Sequence, residues 1–232
     1  MDKTLLYGMS KWYLTLEQFT FESSSVELTK EDMENILKSK QMSKPTMINI
    51  KNILKKYTNV FIRLENKSPK YLEPIDIKSI NGIYKILNCS RTVELLRDCL
   101  DRNENCLLWL RRYKNFDDML EFRIFVVNNK ITAITQNDCN KKSEIVLKPS
   151  IYKKIIINFT NQLICYNDCT IDIAINKNTK DCYLVEINTP YTMLADGGLF
   201  DNEIDRHLLE GNNIGYIPFR FYTSNFYEID EI

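Results

Sequence analysis

An α+β fold is predicted for this chain. Residues 29–101 carry apolar side chains at helical spacing, whereas from Leu107 onward short alternating runs follow one another through polar turns. A length of 232 residues with 44% apolar content is enough to fill the core of one large domain or of two small intertwined ones. Lys, Asn, Asp or Glu interrupts every hydrophobic run before the roughly 18 to 20 residues that a membrane span needs. The start, Met1-Asp2-Lys3-Thr4, is followed by too short an apolar patch for the core of a secretory signal. A cytoplasmic protein without membrane association is expected.

The elements follow in order. Thr29 precedes Lys30-Glu31-Asp32 and the apolar residues Met33, Ile36 and Leu37, so Thr29 can accept an amide bond at the start of a helix. Residues 46–57 read as a second amphipathic helix, and Val60-Phe61-Ile62-Arg63-Leu64 as a short strand with a charge set into it. Ile80, Tyr84 and Leu87, then Val93, Leu96 and Leu100, keep helical spacing. Residues 121–127 and 130–136 flank Asn128-Asn129, two residues that tolerate the positive φ of a tight hairpin turn. That turn sets Arg123 opposite Ile134 and Glu121 opposite Gln136, so Glu121, Arg123 and Gln136 are expected on one face. Ile151, Ile155, Phe159 and Leu163 suggest a helix over 151–165. A second hairpin joins Thr170–Ile175 to Cys182–Asn188 through a polar turn, and a flexible loop, Asp196-Gly197-Gly198-Leu199-Phe200, precedes a late strand over 216–222.

The net charge is zero, but residues 170–232 hold 11 acidic and 4 basic residues, a net of −7, which leaves +7 for residues 1–169. Ordinary surface charge is one reading, and an anion-holding front facing a cation-holding back is the other. Seven cysteines form no CxxC pair, and an odd number cannot all pair internally, so reduced, packed thiols are expected. The single histidine, His207, does not obviously complete a zinc site with Cys165 and Cys169. It also leaves no Ser-His-Asp or Cys-His arrangement outside an acidic loop, so His207 is read as a surface or helix residue.

The second hairpin carries the chemistry. Ile171, Ile173 and Ile175 alternate onto one face and turn Asp172 to the other, while Glu186 and Asn188 share a face two residues apart. A turn centred on residue 179 sets Asp172 opposite Glu186. Two carboxylates facing each other repel. Either they line a solvated strand face, or with Asn188 they hold a divalent ion such as Mg²⁺, which takes hard oxygen ligands. Arg63, Lys70, Arg111, Arg112 and Arg123 stand on or beside strands. Each alone reads as a surface residue with a buried stem, but five of them suit phosphate oxygens.

In combination these segments resemble the cell division cycle protein 123 family. The likeness rests on Val60–Leu64, Ser68-Pro69-Lys70, Leu107 through Arg111-Arg112-Tyr113, Glu121-Phe122-Arg123, Ile134-Thr135-Gln136-Asn137-Asp138, Asp172, Glu186-Ile187-Asn188, and Asp196 with Leu199-Phe200. It extends forward to Trp12-Tyr13 and so covers nearly the whole chain. The resemblance implies an ATP-grasp fold of two α+β subdomains with antiparallel sheets closing on ATP, drawn here as 1–106 with leading helices and 107–232. It implies Arg63, Lys70 and Arg123 at phosphates, the strand Leu110-Arg111-Arg112-Tyr113 beside the adenine, and Asp172, Glu186 and Asn188 on Mg²⁺. Arg123 and Asp138 are the candidate catalytic residues, the latter an acid of unassigned role.

Some positions depart from the family pattern. Arg63 stands where Lys is usual, which turns a point charge into a wide fork. Tyr71 replaces an acid, Tyr113 replaces Trp, and Glu186 replaces Asp. The stretches after Lys70 and after Phe221 are short, so partner-binding additions are expected to be missing. Three functions follow from the resemblance. One is an ATP-binding assembly chaperone for translation initiation factor 2 that engages its gamma subunit; the second is an ATP-dependent ligase acting on RNA ends or a carboxylate; the third is a nucleotide-binding protein that has lost its chemistry. A monomer is expected.

Overall fold

The computed structural model describes residues 6–65, 77–137, 148–191, 196–212 and 215–222, with the backbone of 227–230. Two compact units emerge, Phe21–Lys114 and a discontinuous one made of Met1–Thr20 with Asn115–Ile232. The boundary drawn from sequence at 106/107 is displaced in the structure. Strand β3 (Cys106–Arg112) begins there and pairs with β1 (Ser23–Leu28) and β2 (Val60–Leu64), so its hydrogen bonds tie it to the residues before it.

In the unit Phe21–Lys114, helices α2 (Lys30–Leu37), α3 (Lys44–Tyr57), α4 (Ile80–Leu87) and α5 (Ser90–Asp101) accompany the three-stranded antiparallel sheet β1-β3-β2. Helix α2 starts where the sequence places it. The Thr29 hydroxyl accepts from Asp32 N at 3.2 Å, and the Asp32 carboxylate accepts from Thr29 N, closing a capping box. Asp32 does more than cap. Fully buried, it also accepts from Ser43 N at 2.6 Å and from the Thr46 hydroxyl at 2.7 Å, which fastens the start of α3 to the start of α2. Val60, Ile62, Leu64, Leu108 and Leu110 enter one core with Met33, Ile36, Ile50, Ile83 and Leu96.

The other unit holds α1 (Met9–Leu16), strands β4 (Met119–Val127) and β5 (Lys130–Gln136), helix α6 (Pro149–Thr160), strands β6 (Cys169–Asn176) and β7 (Cys182–Asn188), a short helix α7 (Arg206–Leu209), and strands β8 (Phe219–Tyr222) and β9 (Tyr227–Asp230). Its six-stranded sheet has the order β7-β6-β4-β5-β8-β9, with β8 parallel to β5. Asn128 and Asn129 adopt φ of 51° and 59°, the left-handed pair that the β4–β5 turn needs.

Three expectations are corrected here. The β4–β5 register shifts by one between Phe125 and Val126, so Arg123 faces Thr135 rather than Ile134, and Gln136 pairs with Phe122 on the other face. Thr132 is the extra residue of that bulge, and its hydroxyl bonds to Phe125 O and Leu209 O. Helix α6 ends at Thr160 and buries Tyr152, Ile156 and Thr160 rather than the 151/155/159 stripe; Ile151 is half exposed. The reason is the ring of Tyr152, which lies 6.3 Å from that of Phe122 on the sheet and sets the helix one residue out of phase. The loop expected to be flexible, 196–200, is bonded to the sheet at several points, as set out below. The α+β class with antiparallel sheets is as predicted, and among the described residues no helix is long and apolar enough to cross a membrane.

Candidate functional site

The β6–β7 hairpin brings Asp172 and Glu186 directly opposite each other, but not by the simple turn count. From Ile175↔Cys182 to Ile173↔Leu184 the register would carry Asp172 to Val185; Val185 bulges out, and Asp172 meets Glu186. Ile171, Ile173 and Ile175 are fully buried on one face, each removing enough apolar surface to stabilise the unit by about 1.5–3 kcal/mol. Asp172 must then point to the other.

The row extends across five strands. Arg220 on β8 pairs with Thr135 on β5, Thr135 with Arg123 on β4, Arg123 with Asp172 on β6, and Asp172 with Glu186 on β7. Residues paired in this way share a face, so one line of side chains runs basic, hydroxyl, basic, acidic, acidic. Arg123 forms a two-pronged clamp on Asp172, with Nε to Oδ1 and Nη2 to Oδ2 both at 2.8 Å. Its Nη1 donates to the backbone carbonyl of Asp196 at 3.0 Å. Asn188 Nδ2 donates to Asp172 Oδ2 at 3.1 Å and to Glu186 Oε1 at 3.0 Å, bridging the two acids.

Electrostatics sharpen the picture. Burial pushes the Asp172 carboxyl up; the Arg123 guanidinium opposes that, and Glu186, within hydrogen-bonding reach, adds to it. Burial alone would pull Arg123 down, but the charge and hydrogen bonds of Asp172, with the charges of Glu186 and Asp196, hold it above its ordinary value. Two carboxylates and one guanidinium thus meet on this face. Among the described residues no group of three or more His, Cys, Asp and Glu gathers. The donor set is instead two carboxylates and a carboxamide, hard oxygens of the kind magnesium takes in small number. For Asn188 to present Oδ1 to an ion, its amide must turn over and release both acids.

The remaining site residues fall differently. In the unit Phe21–Lys114, Arg63 and Arg111 are buried, not surface residues, on the sheet face opposite the apolar core. The Arg111 guanidinium sits 5.1 Å from the Phe21 ring and 5.0 Å from the Phe61 ring, an arrangement in which the rings' negative faces offset part of its desolvation. Arg63 pairs across the strands with Trp109, whose indole N–H donates to Glu65. Leu110 points the other way, into the helical core. Arg112 is exposed and shares Glu22 with Lys56, and Tyr113 N bonds to Asn59 O at the strand's end. Lys70 and Asp138 lie outside the described residues. His207 is exposed on α7, and Cys165 is exposed while Cys99, Cys106 and Cys169 are buried.

Sequence reasoning missed Thr135, Asp205 and Arg220. The signal for Arg220 was present, a lone charge alternating with Phe219 and Phe221 in the manner of Arg63 and Arg123. Thr135 carried none, because its part depends on the bulge.

The sequence model of the D123 family matches residues 12–218. The chain belongs to the D123 family. Among relatives, a putative CDC123-like protein from Acanthamoeba polyphaga mimivirus is 30% identical over 90% of this chain and 72% of its own length. A protein named translation initiation factor eIF2 assembly protein from Vanderwaltozyma polyspora is 22% identical over 76% of this chain; the match spans only 58% of that relative. A C-terminally truncated Cdc123 from Schizosaccharomyces pombe superposes with a TM-score of 0.80, covering 95% of this chain and 97% of that one at 17% identity, which establishes a shared D123 fold. The D123 model's span takes in every strand from β1 to β7 and therefore the whole acidic end of the row.

Proposed function

We propose that this D123-family protein binds ATP with Mg²⁺ and acts in the assembly of translation initiation factor 2, using the bound nucleotide as a structural or switching ligand. The single observation that carries the nucleotide part is the Arg123–Asp172–Glu186 row with Asn188 beside it. Asp172, Glu186 and Asn188 would hold the ion, which when bound would neutralise phosphate charge. Family membership and the name of the eIF2 assembly relative support the partner. Arg63, Lys70, Arg111, Arg112, Tyr113 and Leu110 are assigned to the nucleotide on the family resemblance, and Asp138 to the active site on the same ground.

Titration with ATP, with and without Mg²⁺, tests the first part, and capture of the initiation factor's gamma subunit in the presence of ATP·Mg²⁺ tests the second. Metal-dependent ATP binding, capture of the gamma subunit and no turnover are expected. If Glu186→Ala and Asn188→Ala leave both ATP affinity and its Mg²⁺ dependence unchanged, the metal assignment is wrong. Release of AMP or ADP with a joined product on adding RNA ends or a carboxylate would replace the chaperone reading by an ATP-dependent ligase.

A further inference from the structure

The segment 196–205 lies as a strap over the basic half of the row, and each anchoring contact goes to a row residue or to the core beside it. Arg123 Nη1 holds Asp196 O, the Thr135 hydroxyl accepts from Leu199 N at 3.1 Å, and Arg220 Nη1 donates to Leu199 O at 3.0 Å. Arg220 then clamps Asp205 through both nitrogens of its fork, with Nη2 to Oδ1 at 2.8 Å, and stacks 4.3 Å from the Phe200 ring. Phe200 in turn packs edge-on against Phe125 in a cluster with Tyr191, Leu208 and Leu209. Gly198 takes φ of +64°, and a Cβ there would stand 2.6 Å from Thr135 Cγ2, so the backbone runs as close to β5 as it can.

We infer that Thr135, Arg220 and Asp205 are positioning residues for the proposed metal face: they fix the strap so that Asp196 O caps Arg123 and keeps its guanidinium seated on Asp172. In the row, none of the three is paired with Asp172 or Glu186. Their effect passes through one bond, Arg123 Nη1 to Asp196 O. Without that acceptor a third of the guanidinium's bonding is lost in a site that is 6% exposed. Arg123 then gains by turning to another acceptor, and Asp172 loses its fixed orientation toward Glu186 and Asn188. Arg123, one step removed from the ligand Asp172, is a partner of the kind whose loss typically changes metal affinity about 10- to 100-fold, and Thr135, Arg220 and Asp205 act on it at a further remove, with a smaller effect.

The inference rests on the proposed metal site, so the test separates the two. Mn²⁺, a paramagnetic stand-in for Mg²⁺, is titrated into the 232-residue chain with ATP, and bound ion is read by electron paramagnetic resonance. Thr135→Val keeps the side chain's shape and removes the acceptor for Leu199 N together with the hydroxyl's own 3.1 Å donation to Gln136 O, and it is the primary variant. Arg220→Met leaves Asp205 buried and uncompensated and is accompanied by Arg220→Lys, which restores the charge but not the fork. A several-fold loss of Mn²⁺ affinity, smaller than the roughly tenfold lower bound for a direct partner of a ligand, is expected for Thr135→Val, together with faster hydrogen exchange at Leu199 N. Arg220→Lys should fall between wild type and Arg220→Met, and Arg206→Ala, on an exposed pair with Glu210, should match wild type. Mn²⁺ binding by wild type with unchanged affinity in Thr135→Val would overturn the positioning role while sparing the site. No Mn²⁺ binding by wild type would overturn both.

Discussion

Replacing Asp172 by alanine tests the physical basis of the acidic face before any ligand is added. Asp172 and Arg123 have side chains only 4% and 7% exposed and are joined by two 2.8 Å bonds. Removing the carboxylate alone strands a buried guanidinium and costs about 3–5 kcal/mol, because the charge stays desolvated after its partner has gone. The loss of the Asn188 contact lies within that range, and relief of repulsion from Glu186 works against it by up to about 1 kcal/mol. The net cost is then about 2–5 kcal/mol, and at about 2–4 °C per kcal/mol for a chain of this size the melting temperature should fall by roughly 4–20 °C. The double variant Arg123→Met with Asp172→Leu removes both charges; the Asp196 carbonyl loses its donor, the Asn188 amide keeps its bond to Glu186, and Glu186 loses the charge of Arg123. It should be the more stable of the two. Thermal and denaturant unfolding without nucleotide, read by circular dichroism, check both. An Asp172→Ala cost below about 1 kcal/mol, or a double variant as unstable as the sum of its single changes, would refute the claim that this pair is a mutually dependent buried unit. Loss of ATP binding in Asp172→Ala would follow from damage to the fold as well as from loss of a ligand.

Glu186→Gln is the cleaner probe of metal binding: it keeps the acceptor for Asn188 and removes one of two facing charges. Calorimetry should show at least tenfold weaker Mg²⁺-dependent ATP binding while unfolding shows unchanged or slightly higher stability, by up to about 1 kcal/mol. At Asp32, burial pushes the carboxyl up, but hydrogen bonds from Ser43, Thr46 and Thr29 outweigh it and hold the group below its ordinary value. A depressed folded value means that this contribution is complete above the unfolded carboxylate range, near pH 4, and is lost as pH falls through the folded value. Asp32→Ala, which leaves the Ser43 N–H and Thr46 hydroxyl without an acceptor, should therefore cost about 2–4 kcal/mol at pH 7 and visibly less near pH 2 by denaturant titration. Gly198→Ala should destabilise by about 1–3 kcal/mol, through the left-handed backbone and the contact with Thr135, with accelerated hydrogen exchange over 196–205 as the local readout.

Where local rules suffice, the sequence was a reliable guide. The capped start of α2, the Asn128-Asn129 turn and the alternation that turns Asp172 away from three isoleucines each depend on a few neighbouring residues, and each is found. What was not legible depends on contacts distant in sequence. Arg63 and Arg111 read as surface residues because a long basic side chain ordinarily keeps its head in water; the rings of Phe21 and Phe61 that enclose Arg111 come from far along the chain. The phase of α6 departs from its isoleucine stripe because Tyr152 finds Phe122, a partner distant in sequence. The strap could not be foreseen, since its anchors, Thr135 and Arg220, meet it only after β8 has added in parallel to β5.

The bulges explain why one expected opposition held and the other did not. Without the bulge at Val185, Asp172 would face Val185, and Glu186 would pass to the isoleucine side. Without the bulge at Thr132, Arg123 would face Ile134, and the hydroxyl that holds Leu199 would lie on the face packed by α6. Each hairpin carries one bulge, and both bulges shift the register by one. The turn count chosen for the β6–β7 hairpin happened to include that shift, whereas the tight Asn-Asn turn did not. A row of five side chains in alignment across strands that differ in direction and turn length therefore requires both irregularities. Their placement between the turns and the row sets Arg123 between the acids on one side and the strap's anchors on the other, and makes one guanidinium the link between them.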